Sequence, residues 1–113
     1  MKKLSLFLAT CALGLLANVT TTSAQTPPPV STNCGTPTQY TKPCWADTGY
    51  ARGGNYGASC SYNDYLAESQ RANSYADYYR AQPYSDENAC LTIYWDYYLD
   101  GLYTGYSQAH GWF

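Results

Sequence analysis

From Gln25 to its end this chain carries only six large aliphatic side chains, Val30, Leu66, Leu91, Ile93, Leu99 and Leu102. So thin an aliphatic inventory pushes a polypeptide toward disorder. All fourteen tyrosines and three tryptophans fall in the same stretch, and each large ring can bury roughly 150–250 Å². Any core must therefore be aromatic. Four cysteines, Cys34, Cys44, Cys60 and Cys90, accompany the rings, an even number that in a small exported chain predicts two disulfides. Their spacings of 10, 16 and 30 residues contain no CxxC pair, so no metal site is expected, nor any cofactor.

Export is read from the first residues. Lys2 and Lys3 precede an apolar run from Leu4 to Ala17, and Thr22-Ser23-Ala24 supplies small residues for cleavage. This is the layout of a signal peptide over 1–24, and its apolar run is shorter than the roughly 20 residues that span a bilayer. Cys11 lies inside that run and is expected to leave with it. The remaining 89 residues, 25–113, suit one domain, secreted to the extracellular space or a periplasm, with no stable membrane insertion. Two of the six basic residues go with the leader, leaving four against eight acidic ones, a net charge of −4. No basic patch exists to follow a phosphate backbone, so nucleic acid is not an expected partner.

The Pro27-Pro28-Pro29 run makes 25–33 an extended arm. From Cys34 to Cys60 no helical or strand period is legible, and Gly49, Gly53, Gly54 and Gly57 break up "GYARGGNYG". The expectation is an irregular, disulfide-held segment. Residues 34–113 are then expected to form one mostly α domain: an irregular arm stapled by two disulfides onto an antiparallel two-helix hairpin, over about 61–81 and 86–104. In the first helix Tyr62, Tyr65, Leu66, Ser69, Ala72, Ala76 and Tyr79 recur at three- and four-residue steps. Ser61 is placed to cap it, and Pro83 stops its continuation. In the second, Ser85 with Asp86 and Glu87 gives a start signal, and Leu91, Tyr94, Trp95, Tyr98 and Leu102 form one stripe. Gly101 and Gly105 predict an end between Asp100 and Tyr106.

Such a hairpin holds Cys60 and Cys90 roughly 25 Å apart, beyond the reach of a disulfide. With all four cysteines paired, the preferred set is Cys44–Cys60 with Cys34–Cys90, because Cys44 and Cys60 close the shorter loop. The other set is Cys34–Cys60 with Cys44–Cys90.

Little catalytic chemistry is visible. The single histidine, His110, sits near the end of the chain and is expected to be a solvated tail residue. Asp96 and Asp100 share one helix face. They would suit a small carboxylate-dependent hydrolase, but the pattern turns them toward solvent. "RGGNYG", Arg52–Gly57, lacks the GK[ST] ending of a phosphate loop. The aromatic residues off the core stripes remain. Tyr75, Tyr78, Ile93 and Tyr97, beside Asp96 and Asp100, are the candidate ligand-binding residues unless the Cys34–Cys60 arm covers them. The leading expectation is a non-enzymatic binding protein for an extracellular glycan or protein. The alternative is a tyrosine-rich matrix or coat component cross-linked through its phenols.

Overall fold

A computed structural model describes residues 26–112. The leader expected over 1–24 lies outside them. Three helices follow in order: α1, Lys42–Ser59; α2, Tyr62–Arg80; α3, Asp86–Ala109. No strand occurs among the described residues.

The two later helices lie where the periodicity placed them, and their starts are chemically defined. The Ser61 hydroxyl accepts from the Asp64 amide at 3.1 Å, and the Ser85 hydroxyl from the Asn88 amide at 3.0 Å. Each satisfies an amide that no helical carbonyl can reach. α2 runs antiparallel to α3, with Tyr65 stacked on Tyr106 at one end and Arg80 paired with Asp96 at the other.

The irregular arm is the first correction. Residues 42–59 form an 18-residue helix with Pro43 in its first turn, despite four glycines. A glycine inside a helix costs about 1 kcal/mol against alanine, so α1 is held by packing rather than by propensity. Gly49, Gly53 and Gly57 lie against the backbone of Tyr94, Tyr98 and Leu102, and Gly101 and Gly105 against Tyr50 and Gly54. Both series ascend together, so α1 and α3 are parallel. Their spacing of four puts each set on one helix face, and without side chains the two backbones approach more closely than side-chain ridges allow. The glycines that predicted an early end for α3 are thus its contact surface, and the helix continues to Ala109. The body is a three-helix assembly with α3 central, not a two-helix hairpin.

The disulfides are the second correction. Cys34 and Cys44 are bonded, with Cα atoms 5.7 Å apart, while Cys60 and Cys90 are free. Once 42–59 is helical, Cys44 and Cys60 stand roughly 24 Å apart along its axis, so the preferred Cys44–Cys60 bridge cannot form. Cys34–Cys90 is not formed either: Cys90 is wholly buried and its thiol donates to the Thr38 carbonyl oxygen at 3.4 Å. A chain expressed from Gln25 and denatured without reductant is expected to titrate two thiols, not none.

The core is aromatic. Trp45, Tyr75, Tyr94, Trp95 and Tyr98 are buried together with Ala72, Ala76, Cys90 and Leu91. Tyr94 meets Trp95 edge-on at 4.9 Å, as does Tyr75, the arrangement ring quadrupoles favour. It carries a cost, because the indole N–H groups of Trp45 and Trp95 are buried without an acceptor among the described residues. Val30 packs against this cluster and Pro27 is buried, so the proline-rich arm is seated on the body.

The inward face of α2 is the third correction. Tyr62 and Leu66, expected in the core, are exposed, whereas Tyr75 is buried. The helix is turned so that Glu68 points inward. Its carboxylate accepts from the Tyr98 hydroxyl and from the Arg71 guanidinium, both at 2.5 Å. A carboxylate outside the expected stripe is thus paired on the inward side, and the stripe shifts with it.

Candidate functional site

Where α1 and α3 meet through glycines, their outer side is left with a groove. Gly54, Gly101 and Gly105 supply a floor without side chains. Tyr50, Asn55 and Ala58 from α1 and Thr104, Gln108 and Ala109 from α3 form the walls, around about 630 Å³. A second hollow of about 440 Å³ lies toward the start of α1, lined by Lys42, Pro43, Ala46, Asp47, Ile93 and Tyr97. The lining residues step by three and four along both helices, 43–47–50–54–58 and 93–97–101–104–108. The hollows therefore lie on one face. Tyr50 and Tyr97, 42% and 46% exposed, stand between them.

The larger hollow has a distinctive chemistry. Its lining contains no charged residue. Asn55 and Gln108 offer amides that both donate and accept, and Thr104 and Tyr50 offer hydroxyls. None of these side chains is hydrogen-bonded to another described residue, unlike those of the third hollow, of about 350 Å³, at the α2–α3 link. There Gln82 is bonded to the Tyr78 carbonyl, Asn88 to that of Pro83 and Thr92 to that of Asn88, while Arg80 is held by Asp77 and Asp96. The polar groups at the link are occupied; those on the glycine floor are free.

The six residues expected to bind a ligand do not form one site. Ile93 and Tyr97 lie on the α1–α3 face. Tyr75 is buried against Trp95, because α2 is rotated as described above, so it presents no surface. Tyr78 is half-buried, edge-on to Tyr79 at 5.2 Å. Asp96 accepts from Arg80 at 3.0 and 3.2 Å on the α2 side of α3, and this pairing holds the guanidinium above its usual pKa. Asp100 is exposed. Tyr50, Asn55, Thr104 and Gln108 were not anticipated. The available signal was the spacing of the glycines at 49, 53 and 57 and at 101 and 105, which marks two helix faces built to meet.

No family model matches the chain, and no curated protein or solved structure is found to be similar to it. Function must therefore be argued from the groups themselves. Two groups with nucleophilic or acid–base chemistry, Cys60 and His110, are engaged in structure. The Cys60 thiol is pushed up from its ordinary pKa, chiefly by burial, with the charges of Asp64 and Glu68 adding to it, which keeps it protonated and a poor nucleophile. His110 is not a loose tail residue. Its ring stacks on Tyr106 at 3.8 Å and its Nδ1 lies 2.9 Å from the Tyr106 carbonyl oxygen. Gly111, at φ +69°, lets the Trp112 amide donate back to the Ser107 carbonyl at 2.8 Å, closing the helix end. No cluster of three metal-ligating side chains occurs among the described residues, and no helix there is long and apolar enough to cross a membrane.

Proposed function

We propose that the protein is an exported, non-enzymatic binding protein whose α1–α3 face takes a neutral glycan. The observation that carries the reading is the set of unengaged, uncharged hydrogen-bonding side chains, Asn55, Thr104 and Gln108, beside the Tyr50 ring on a glycine floor. A sugar presents hydroxyls that donate and accept around its edge and C–H bonds on its faces. Amides and a threonine hydroxyl match the first, and an exposed aromatic ring matches the second. A charged ligand finds no counter-charge in this lining. The larger hollow alone, at about 630 Å³, exceeds the roughly 300 Å³ of a small ligand site.

The test is retention of the refolded protein on insoluble neutral polysaccharides, followed by titration with oligosaccharides released from whichever one retains it. Tyr50→Ala combined with Gln108→Ala is expected to weaken binding about tenfold, about 1.4 kcal/mol, for the loss of one stacking surface and one hydrogen bond. Tyr78→Ala, away from this face, is expected to change nothing. Retention on no neutral polysaccharide, or retention insensitive to the double substitution, would reject the glycan. Capture of a secreted protein sensitive to the same substitution would point to a protein ligand instead.

A further inference from the structure

A different part of the molecule, the link between α2 and α3, carries an inference that does not depend on the groove. Tyr84 stands on this link with 76% of its surface exposed. Its backbone neighbours are fixed, since the Pro83 carbonyl accepts from the Asn88 side-chain Nδ2 and the Ser85 hydroxyl caps α3. The ring is thus presented outward on a rigid turn. Its hydroxyl is not free: it donates to Asp86 Oδ1 at 3.1 Å. A phenol that loses one electron must also lose its proton, and a carboxylate already holding that proton in a hydrogen bond can accept it in the same event.

Tyr40, Tyr50, Tyr62, Tyr97 and Tyr98 each lack one half of this arrangement. Tyr98 also donates to a carboxylate, that of Glu68, but at 7% exposure it cannot meet another ring. Tyr40 is more exposed than Tyr84, at 83%, yet its hydroxyl has no acceptor among the described residues. Tyr50, Tyr62 and Tyr97 are about half exposed and have no carboxylate partner. We propose that Tyr84 is a site of covalent coupling, joined to the Tyr84 of a second copy by an extracellular haem peroxidase using hydrogen peroxide. Each phenol gives up one electron to the oxidised haem and one proton to Asp86, which passes it to water. The two phenoxyl radicals then join through a carbon–carbon bond ortho to their oxygens. Each ring regains aromaticity as its ortho hydrogen moves to its own oxygen. Two electrons and two protons in all reduce one peroxide to two waters. Asp86 and Gly101 are fifteen residues apart on one helix, roughly 22 Å, so the coupled protein keeps its groove open.

The experiment treats the refolded full-length mature chain with a haem peroxidase and hydrogen peroxide. Covalent dimer is read on a reducing gel, dityrosine by fluorescence, and the linkage by peptide mapping. A Tyr84–Tyr84 link is expected, with Tyr84→Phe removing most of the dimer and Tyr40→Phe removing little. Asp86→Asn is expected to slow coupling about threefold or more while Asp86→Glu restores it, since only the proton acceptor is changed. Both variants keep a residue that suits the first turn of α3, and circular dichroism checks the fold. Dimer yield in Tyr84→Phe equal to that of the parent protein, or cross-links led by Tyr40, would overturn the proposal. An unchanged rate in Asp86→Asn would overturn the role of the carboxylate. Glycan retention by Tyr84→Phe is expected to be normal, so failure here is separable from failure of the groove.

Discussion

Gly53→Ala is expected to destabilise the protein by about 3 kcal/mol, lowering the melting temperature by about 15 °C for a chain of this size. Taken in isolation the substitution should help, because alanine is the better helix former by about 1 kcal/mol. The packing reverses the sign. A Cβ built on Gly53 overlaps the carbonyl oxygen of Tyr98 and lies 2.9 Å from the Leu102 amide nitrogen. Both obstacles are backbone, so no side chain can rotate to make room. The helices must separate by roughly an ångström to restore van der Waals distance, and rigid helices separate along their whole contact. The glycine Cα–H contacts to carbonyl oxygens at 49, 57, 101 and 105 then lengthen together, each worth about 0.5–1 kcal/mol. Gly101→Ala is expected to behave alike, since its Cβ would overlap the Tyr50 carbonyl oxygen.

Gly54→Ala supplies the opposite expectation within the same turn of helix. Its Cβ would meet only the Gly101 carbonyl oxygen, at an ordinary 3.7 Å. The propensity gain should survive, raising stability by about 0.5–1 kcal/mol, while the added methyl narrows the groove floor and weakens ligand retention. Urea unfolding of the three variants decides the matter. Parent-like stability in Gly53→Ala would mean that the helices do not meet through their backbones.

The same glycines explain what could be read from the sequence and what could not. α2 and α3 were legible because their signals are local: Ser61 and Ser85 begin each helix, and apolar residues recur at helical spacing. α1 was not, because its contact face consists of absent side chains, and a pattern search counts side chains. The stripe expected on α2 runs through Tyr62 and Leu66 and leaves out Glu68, whose carboxylate Arg71 and the Tyr98 hydroxyl satisfy on the side of α3, which turns the helix toward Tyr75. The disulfide required knowing that a helix begins at Lys42. With that helix in place, Cys44 faces a neighbour ten residues earlier and is far from Cys60. The candidate groove inherits the difficulty, since a floor of glycine and walls of neutral residues carry no motif. Of the expected ligand residues, Ile93 and Tyr97 reached this face because they lie two turns and one turn, respectively, before Gly101 along α3.

A core built from tyrosine also brings a liability that an aliphatic core does not have, and it appears at high pH. Tyr56, Tyr79, Tyr98 and Tyr106 are held above the ordinary phenol pKa of 10.0, in each case first by burial. Tyr98 is moved furthest, because its proton also serves the Glu68 carboxylate and its phenolate would face that charge. Below pH 10 both folded and unfolded chains keep these protons, so the stabilisation is fully present. Above it the unfolded chain ionises while the folded one does not, and unfolding releases protons. Stability therefore falls as pH rises, with Tyr98 alone contributing up to about 1.4 kcal/mol per pH unit. A cooperative unfolding transition is expected between about pH 10 and 12, seen as coincident growth of phenolate absorbance and loss of near-ultraviolet dichroism. Tyr98→Phe tests the origin. It should cost about 1–3 kcal/mol at neutral pH, where Glu68 loses a donor, yet lose stability less steeply with rising pH because one linked proton is gone. A Tyr98→Phe profile parallel to that of the parent protein across this range would show that the Tyr98 proton is not what the fold protects.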